Sequence, residues 1–153
     1  MKEKLERSMG LSGQPVKRGT MAHEHIVYMM LVDSAATARD RNTILKYAPL
    51  LEKLATRDDH RPYLAIAHRA YGIAHRLSME YNHAESRLQR ALDIFEELDT
   101  AWQRGRTLYE LGELAQVRDN HEISRQLFTK ALQEFERLGA TADIVRTKAA
   151  LKT

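Results

Sequence analysis

The chain has 153 residues, 43% of them hydrophobic, with 24 lysines and arginines against 21 acidic residues for a formal charge of +3. That length suits one domain with an ordinary apolar core, and the small number of prolines and glycines argues against global disorder. The lack of cysteine excludes disulfides, thiolate metal sites and a cysteine nucleophile and fits a reducing, cytoplasmic setting, while the interleaved charge signs describe a solvated mixed surface rather than a nucleic-acid stripe.

The opening MKEKLERSMG is charged throughout and carries no apolar run of the signal-peptide kind. The stretch 10–20, with three glycines and Pro15, reads as a loop, a mobile arm or a linker. Residues 1–21 are therefore expected to form a flexible or short-helical arm, and 22–153 the folded domain. Helical signals begin at Ala22: Ile26, Met29, Met30 and Val32 precede the small Ala35, Ala36 and Ala38, and the helix ends near Arg39. Its near-apolar stretch 26–32 is too short to span a bilayer, so no membrane partner is expected. The run Arg39-Asp40-Arg41-Asn42 reads as a turn with a capping residue at its end. Ile44, Leu45, Ala48, Leu51, Leu54 and Ala55 then recur at helical spacing, with Pro49 either bending this helix or marking its effective start.

Arg57 to His60 form the next break, and Pro62 suits a first helical turn. A helix over about 62–78 carries Leu64, Ala67, Tyr71, Ala74 and Leu77. After a turn near 80–82 comes a second, with Ala84, Leu88, Ala91, Leu92, Phe95 and Leu98. The next pair places Leu108, Leu111, Ala115 and Val117 before the turn Asp119-Asn120, then Ile123, Leu127, Phe128, Ala131, Leu132 and Phe135. Gly139 suits a C-terminal cap, and a last helix over 141–151 is expected to cover the open end of the stack. No segment alternates with period two, so the chain reads as all-α.

An internal repeat organises these elements. Gly72, Ala91, Leu92, Phe95, Glu96 and Leu98 recur 40 positions later as Gly112, Ala131, Leu132, Phe135, Glu136 and Leu138. A helix pair repeated at fixed period is a solenoid unit, because one pair cannot bury its own apolar face. On one spacing frame, His68, Tyr71, Gly72, Tyr81, Ala84, Leu88 and Ala91 match Leu108, Leu111, Gly112, Ser124, Phe128 and Ala131. This pattern resembles the tetratricopeptide repeat (TPR), in a long form similar to that of bacterial regulatory and signalling proteins. Residues 22–60 fit the frame more loosely through Tyr28, Leu31, Val32, Ile44, Ala48 and Leu51. The expected fold is an α-solenoid of antiparallel helix pairs, about three TPR-like units plus a C-terminal capping helix. Gly72 and Gly112 are expected to let the helices of a pair approach closely, and Ala91 and Ala131 to let the next pair stack.

No constellation for chemistry stands out. His23 and His25 lie on different helix faces; His68 and His75 share one without a third ligand at helical spacing, so they read as packing histidines, and no zinc signature is present. Glycines occur singly, Ser78, Ser86 and Ser124 have no nucleophile elbow, and the pairs Asp58-Asp59 and Glu96-Glu97 point their carboxylates apart. The expectation is a non-enzyme with no cofactor and no metal.

The resemblance implies a binding surface. In the family, the first helix of each pair lines the inner wall, and the frame names its exposed positions: Arg69, Ile73 and Arg76; Arg106, Tyr109, Glu113 and Gln116; and, in the first unit, Met29 and Asp33. Arginine and tyrosine are favoured interface anchors. The implied partner is a protein or peptide segment, with Arg69 and Arg76 suited to a carboxylate. The ordinary alternative is surface arginines paired with Glu113. The lysine-asparagine clamp of some family members is not reproduced, because Arg69 and Ile73 stand in its place. Two alternatives remain open: ligand-responsive regulation, and self-association through the apolar cluster of Ile26, Tyr28, Met29 and Met30.

Overall fold

The computed structural model describes residues 21–153; the expected arm lies outside them except for Met21, which opens the first helix. Seven helices follow in the described residues: α1 Met21–Thr37, α2 Arg41–Arg57, α3 Arg61–Leu77, α4 Tyr81–Glu97, α5 Ala101–Val117, α6 His121–Leu138 and α7 Thr141–Leu151. The chain is all-α, and consecutive helices pack on one another as a helical repeat. The closest associations are α3 with α4 and α5 with α6; α1 also packs on α3.

The rhythm comes from one turn used repeatedly. α1 to α5 are each 17 residues long, and a left-handed residue closes each of the first six helices: Arg39, Asp59, Met79, Asp99, Asp119 and Gly139. At every junction the following N–H reaches back to the last helical turn. Asp40 donates to the Ala35 carbonyl at 2.9 Å, Glu80 to His75 at 2.9 Å and Ala140 to Phe135 at 3.0 Å. This is the Schellman closure, which satisfies carbonyls that a helix end leaves without a partner. Entry into the next helix is capped by side chains at two sites. An Asp40 carboxylate oxygen accepts from the Thr43 amide at 3.2 Å, and His60 Nδ1 accepts from the Tyr63 amide at 3.3 Å.

The repeating turn refines three boundaries. The cap after α1 is Asp40, with Arg41 and Asn42 already helical; Tyr81 and Asn82 belong to α4 rather than to the turn before it; and α2 is helical from Arg41 straight through Pro49. Pro49 faces solvent, where water can take the carbonyl its missing N–H leaves free.

Small residues set the packing distances. A Cβ on Gly72 would lie 2.5 Å from Leu88 Cγ, and one on Gly112 2.7 Å from Phe128 Cε1, so each glycine admits the large apolar side chain of its pair partner. Ala91 and Ala131 are fully buried. The apolar core divides into two clusters. One runs from Val27 to Ala74 and takes in Ala91, Ile94 and Phe95; the other joins Ala84, Leu88 and Leu92 to α5 and α6. The odd-numbered helices form one layer. α1–α3 and α3–α5 touch, whereas no such contact is prominent among the even-numbered helices.

Candidate functional site: an ionic wall on the odd helices

Charged side chains from α1, α3 and α5 meet on the odd layer. Asp33 of α1 receives Arg69 Nη2 at 3.2 Å and both terminal nitrogens of Arg106, Nη2 to Oδ1 at 2.9 Å and Nη1 to Oδ2 at 3.1 Å. Arg69 Nη1 also donates to Gln103 Oε1 at 2.8 Å and to Thr107 Oγ1 at 3.3 Å. Two turns further along α3, Arg76 Nη1 meets Glu110 Oε2 at 2.7 Å, and its Nη2 meets Glu113 Oε2 at 3.0 Å. Arg39, from the turn after α1, reaches across to the same two carboxylates at 2.9 and 3.2 Å. The wall is therefore tied end to end, from the close of α1 to the middle of α5.

Burial sets the electrostatics. Glu110 is 5% exposed; burial pushes its pKa up, but Arg76 and Arg39 outweigh this and hold it below the usual carboxylate value. Asp33 behaves likewise, with Arg69 and Arg106 overcoming its burial. Arg69 is 2% exposed, and burial, with the neighbouring Arg106 charge, brings its pKa down to about 10 although Asp33 opposes the shift. Burial and then Glu113 push the Tyr109 phenol up to about 12. The Tyr109 ring carries the guanidinium of Arg146, from α7, 4.4 Å from its centroid.

These facts revise the exposure read from the repeat frame. Arg69, Ile73, Arg76 and Tyr109 are buried rather than displayed; Arg76 is paired with Glu113, but neither arginine lies on the surface as the ordinary alternative had it. Arg106 and Glu113 stay half-buried, Arg106 paired with Asp33 and Glu113 with Arg39 and Arg76. Gln116 turns away from it and donates to Thr153 Oγ1 at 2.9 Å, at the edge of a cleft of about 240 Å³ that includes His121, Phe128 and Leu151. In the other cluster, Tyr28 is core, 6.2 Å from the Tyr47 ring, and Met29 is half-buried; only Ile26 and Met30 are exposed. Two of the histidines, His25 and His68, pack into the interior. His25 is buried against Asp58 at 2.8 Å while His23 is exposed, and His68 Nδ1 accepts from Arg87 Nη1 at 2.9 Å.

The residues that sequence reasoning missed are Arg39, taken as a turn residue, together with Gln103, Thr107, Glu110 and Arg146. A signal was present. Arg69 and Gln103, and likewise Arg76 and Glu110, stand 34 positions apart, so two bridges share one inter-helix offset. Comparison with protein-family models and with curated proteins yields no match. Among the described residues no helix is long and apolar enough to cross a membrane.

Proposed function

We propose that this chain is a non-catalytic interaction module of the tetratricopeptide type, receiving a protein or peptide segment on the wall built by the odd helices. The observation that carries this reading is the pre-assembled ionic lattice joining α1, α3 and α5. A wall already ordered before encounter loses little side-chain freedom on binding, and preorganisation of this kind favours recognition. The wall also keeps accessible donors at its rim. The side chain of Arg39 is 30% exposed and that of Arg146 is 42% exposed. The anchors move accordingly, from the buried Arg69 and Arg76 to Arg39, Arg106 and Arg146, with Tyr109 and Glu113 behind them.

An array of immobilised peptides of graded charge tests the reading on the full chain. Saturable retention of a subset, lost in the Arg106→Glu/Arg146→Glu variant with unchanged helical circular dichroism, is the expected result. Retention that ignores these substitutions, or none across the array, removes the proposal. A cytoplasmic regulatory role is the second reading. It is favoured by the Arg39 bridges to Glu110 and Glu113, which a bound ligand could contest and so alter the curvature of the stack.

A further inference from the structure

Among the described residues the charges of the wall do not balance. Arg39, Arg69, Arg76, Arg106 and Arg146 bring five positive charges; Asp33, Glu110, Glu113 and Asp143 bring four negative ones. Glu110 and Glu113 are matched by Arg39 and Arg76, and Asp143 by Arg146 at 3.1 Å. Asp33 alone therefore serves two guanidiniums, Arg69 at 3.2 Å and Arg106 at 2.9 Å. One of those guanidiniums is almost wholly buried, where a positive charge without its own anion is unfavourable.

The excess lies beside a space. A cleft of about 20 Å³ opens between Arg39, Arg69, Arg106 and Arg146, with Glu110 the one acidic residue of its lining and Ile73 an apolar wall. That volume admits about one water-sized group, so a single ligand oxygen fits and a whole phosphate does not. Asp33 shows the chemistry these arginines accept: a planar carboxylate taken side-on by Arg106 through two nitrogens.

We propose that this cleft is a carboxylate-binding site, in which a ligand carboxylate places one oxygen among Arg39, Arg69, Arg106 and Arg146 and supplies the anion that the wall lacks. The inference rests on the interaction reading for its choice of face and names the chemistry of what that face receives. The guanidinium of Arg146, stacked on Tyr109, stands at the mouth where an incoming acid meets it first. The lowered pKa of Arg69 agrees with a site short of negative charge.

The carboxylate can belong to a small free acid or to an acidic side chain of a bound segment, and two probes separate these. Succinate and a hexaglutamate peptide, each against an uncharged counterpart (succinamide, hexaglutamine), are titrated into the full ¹⁵N-labelled chain while the arginine Nε–Hε resonances are followed. Saturable shifts with succinate assign the site to a free acid; shifts with hexaglutamate alone assign it to an acidic segment. Either result supports the proposal if Arg146→Gln and Arg106→Gln each weaken binding about tenfold or more, the loss of one charge-assisted hydrogen bond. Arg146→Gln removes a rim residue, so its helical signal stays intact and the comparison does not depend on a folding change. No saturable shift with either acid into the millimolar range, or equal shifts in the variants, overturns it. A segment retained on the wall regardless of its carboxylates would overturn this inference and leave the interaction module standing; succinate binding without retention of any peptide would do the reverse.

Discussion

The left-handed residue that closes each of the first six helices gives one backbone position in several side-chain contexts, so a single substitution has opposite signs at different copies. Met79 holds φ 61° and is 77% exposed, so its side chain contributes little burial. The left-handed conformation costs a residue with a Cβ about 1–2 kcal/mol, and glycine gives back about 0.5–1 kcal/mol through its freer unfolded chain. Met79→Gly is thus expected to stabilise the protein by about 0.5–1 kcal/mol. Arg39 holds φ 58°, but its guanidinium bridges Glu110 and Glu113 and donates to the Ala36 carbonyl at 3.1 Å. Arg39→Gly relieves the same backbone while losing a charge-assisted bond to the buried Glu110 carboxylate, worth about 1.5–3 kcal/mol. A net loss of about 1–2 kcal/mol follows from that difference. At the sixth copy, Gly139→Ala places a Cβ in open space at φ 67° and is expected to lose about 1 kcal/mol by backbone strain alone. Urea unfolding at neutral pH, followed by circular dichroism with the m-value held common, measures all three. A neutral or destabilised Met79→Gly, or a stabilised Arg39→Gly, would refute the assignment of strain and ion pairing to this turn.

Three further expectations concern packing and charge. Gly72→Ala sets a Cβ against Leu88 Cγ and 3.3 Å from the Ala84 carbonyl, and overpacking outweighs the gain in helix propensity to leave a loss of about 1–2 kcal/mol in urea unfolding; a more stable variant would show that the pair can spread apart. Glu110→Gln leaves Arg76 and Arg39 sharing Glu113, with an expected loss of about 2–3 kcal/mol, below the full figure for a broken buried pair because Glu113 remains. A loss under about 1 kcal/mol would show that water already enters the wall. Finally, burial and then Arg87 push His68 down to about 4, so the unfolded chain takes the proton first as the pH drops below about 6.5. Its contribution is complete above that value and is lost by up to about 3 kcal/mol as pH falls through 4. Asp33 and Glu110, whose pKa values are lowered, keep theirs until pH falls below the ordinary carboxylate range near 4. His68→Gln should flatten the stability profile between pH 7 and 5, and an unchanged slope would show that His68 is not its source.

How far the sequence could be read depends on the range of the interaction concerned. Helix positions follow from the periodicity of residues such as Leu88, Ala91 and Phe95, which obeys local geometry, and the repeat carried Gly72 onto Gly112 with the packing role the structure gives both. Two turns, after α1 and before α4, were misplaced by a residue or two because their left-handed positions are filled by Arg39 and Met79, and only Gly139 advertises such a position. The wall was misread for a different reason. A spacing frame reports which way a side chain leaves its helix, but not how closely the neighbouring helices approach. Arg69 leaves α3 toward the odd face as expected, and is then enclosed by Asp33, Gln103 and Thr107 from two other helices. Such enclosure depends on curvature, a property of the assembled stack. Arg39 was missed for the same reason, since its partners lie 71 and 74 residues away.

The division of the apolar core bears on how the molecule comes apart. Among the described residues, α4 is the one helix with buried side chains in both clusters: Ala91, Ile94 and Phe95 in the first, Ala84, Leu88 and Leu92 in the second. Mechanical and thermal cooperativity must pass through this shared wall. A weakness confined to α6 can release the C-terminal cluster and leave the N-terminal one closed, whereas a weakness in α4 loosens both together. Hydrogen exchange should accordingly find the slowest amides along α4, with protection tapering toward α1 and α7, so that the helix carrying none of the wall's charges fixes the lifetime of the surface they form.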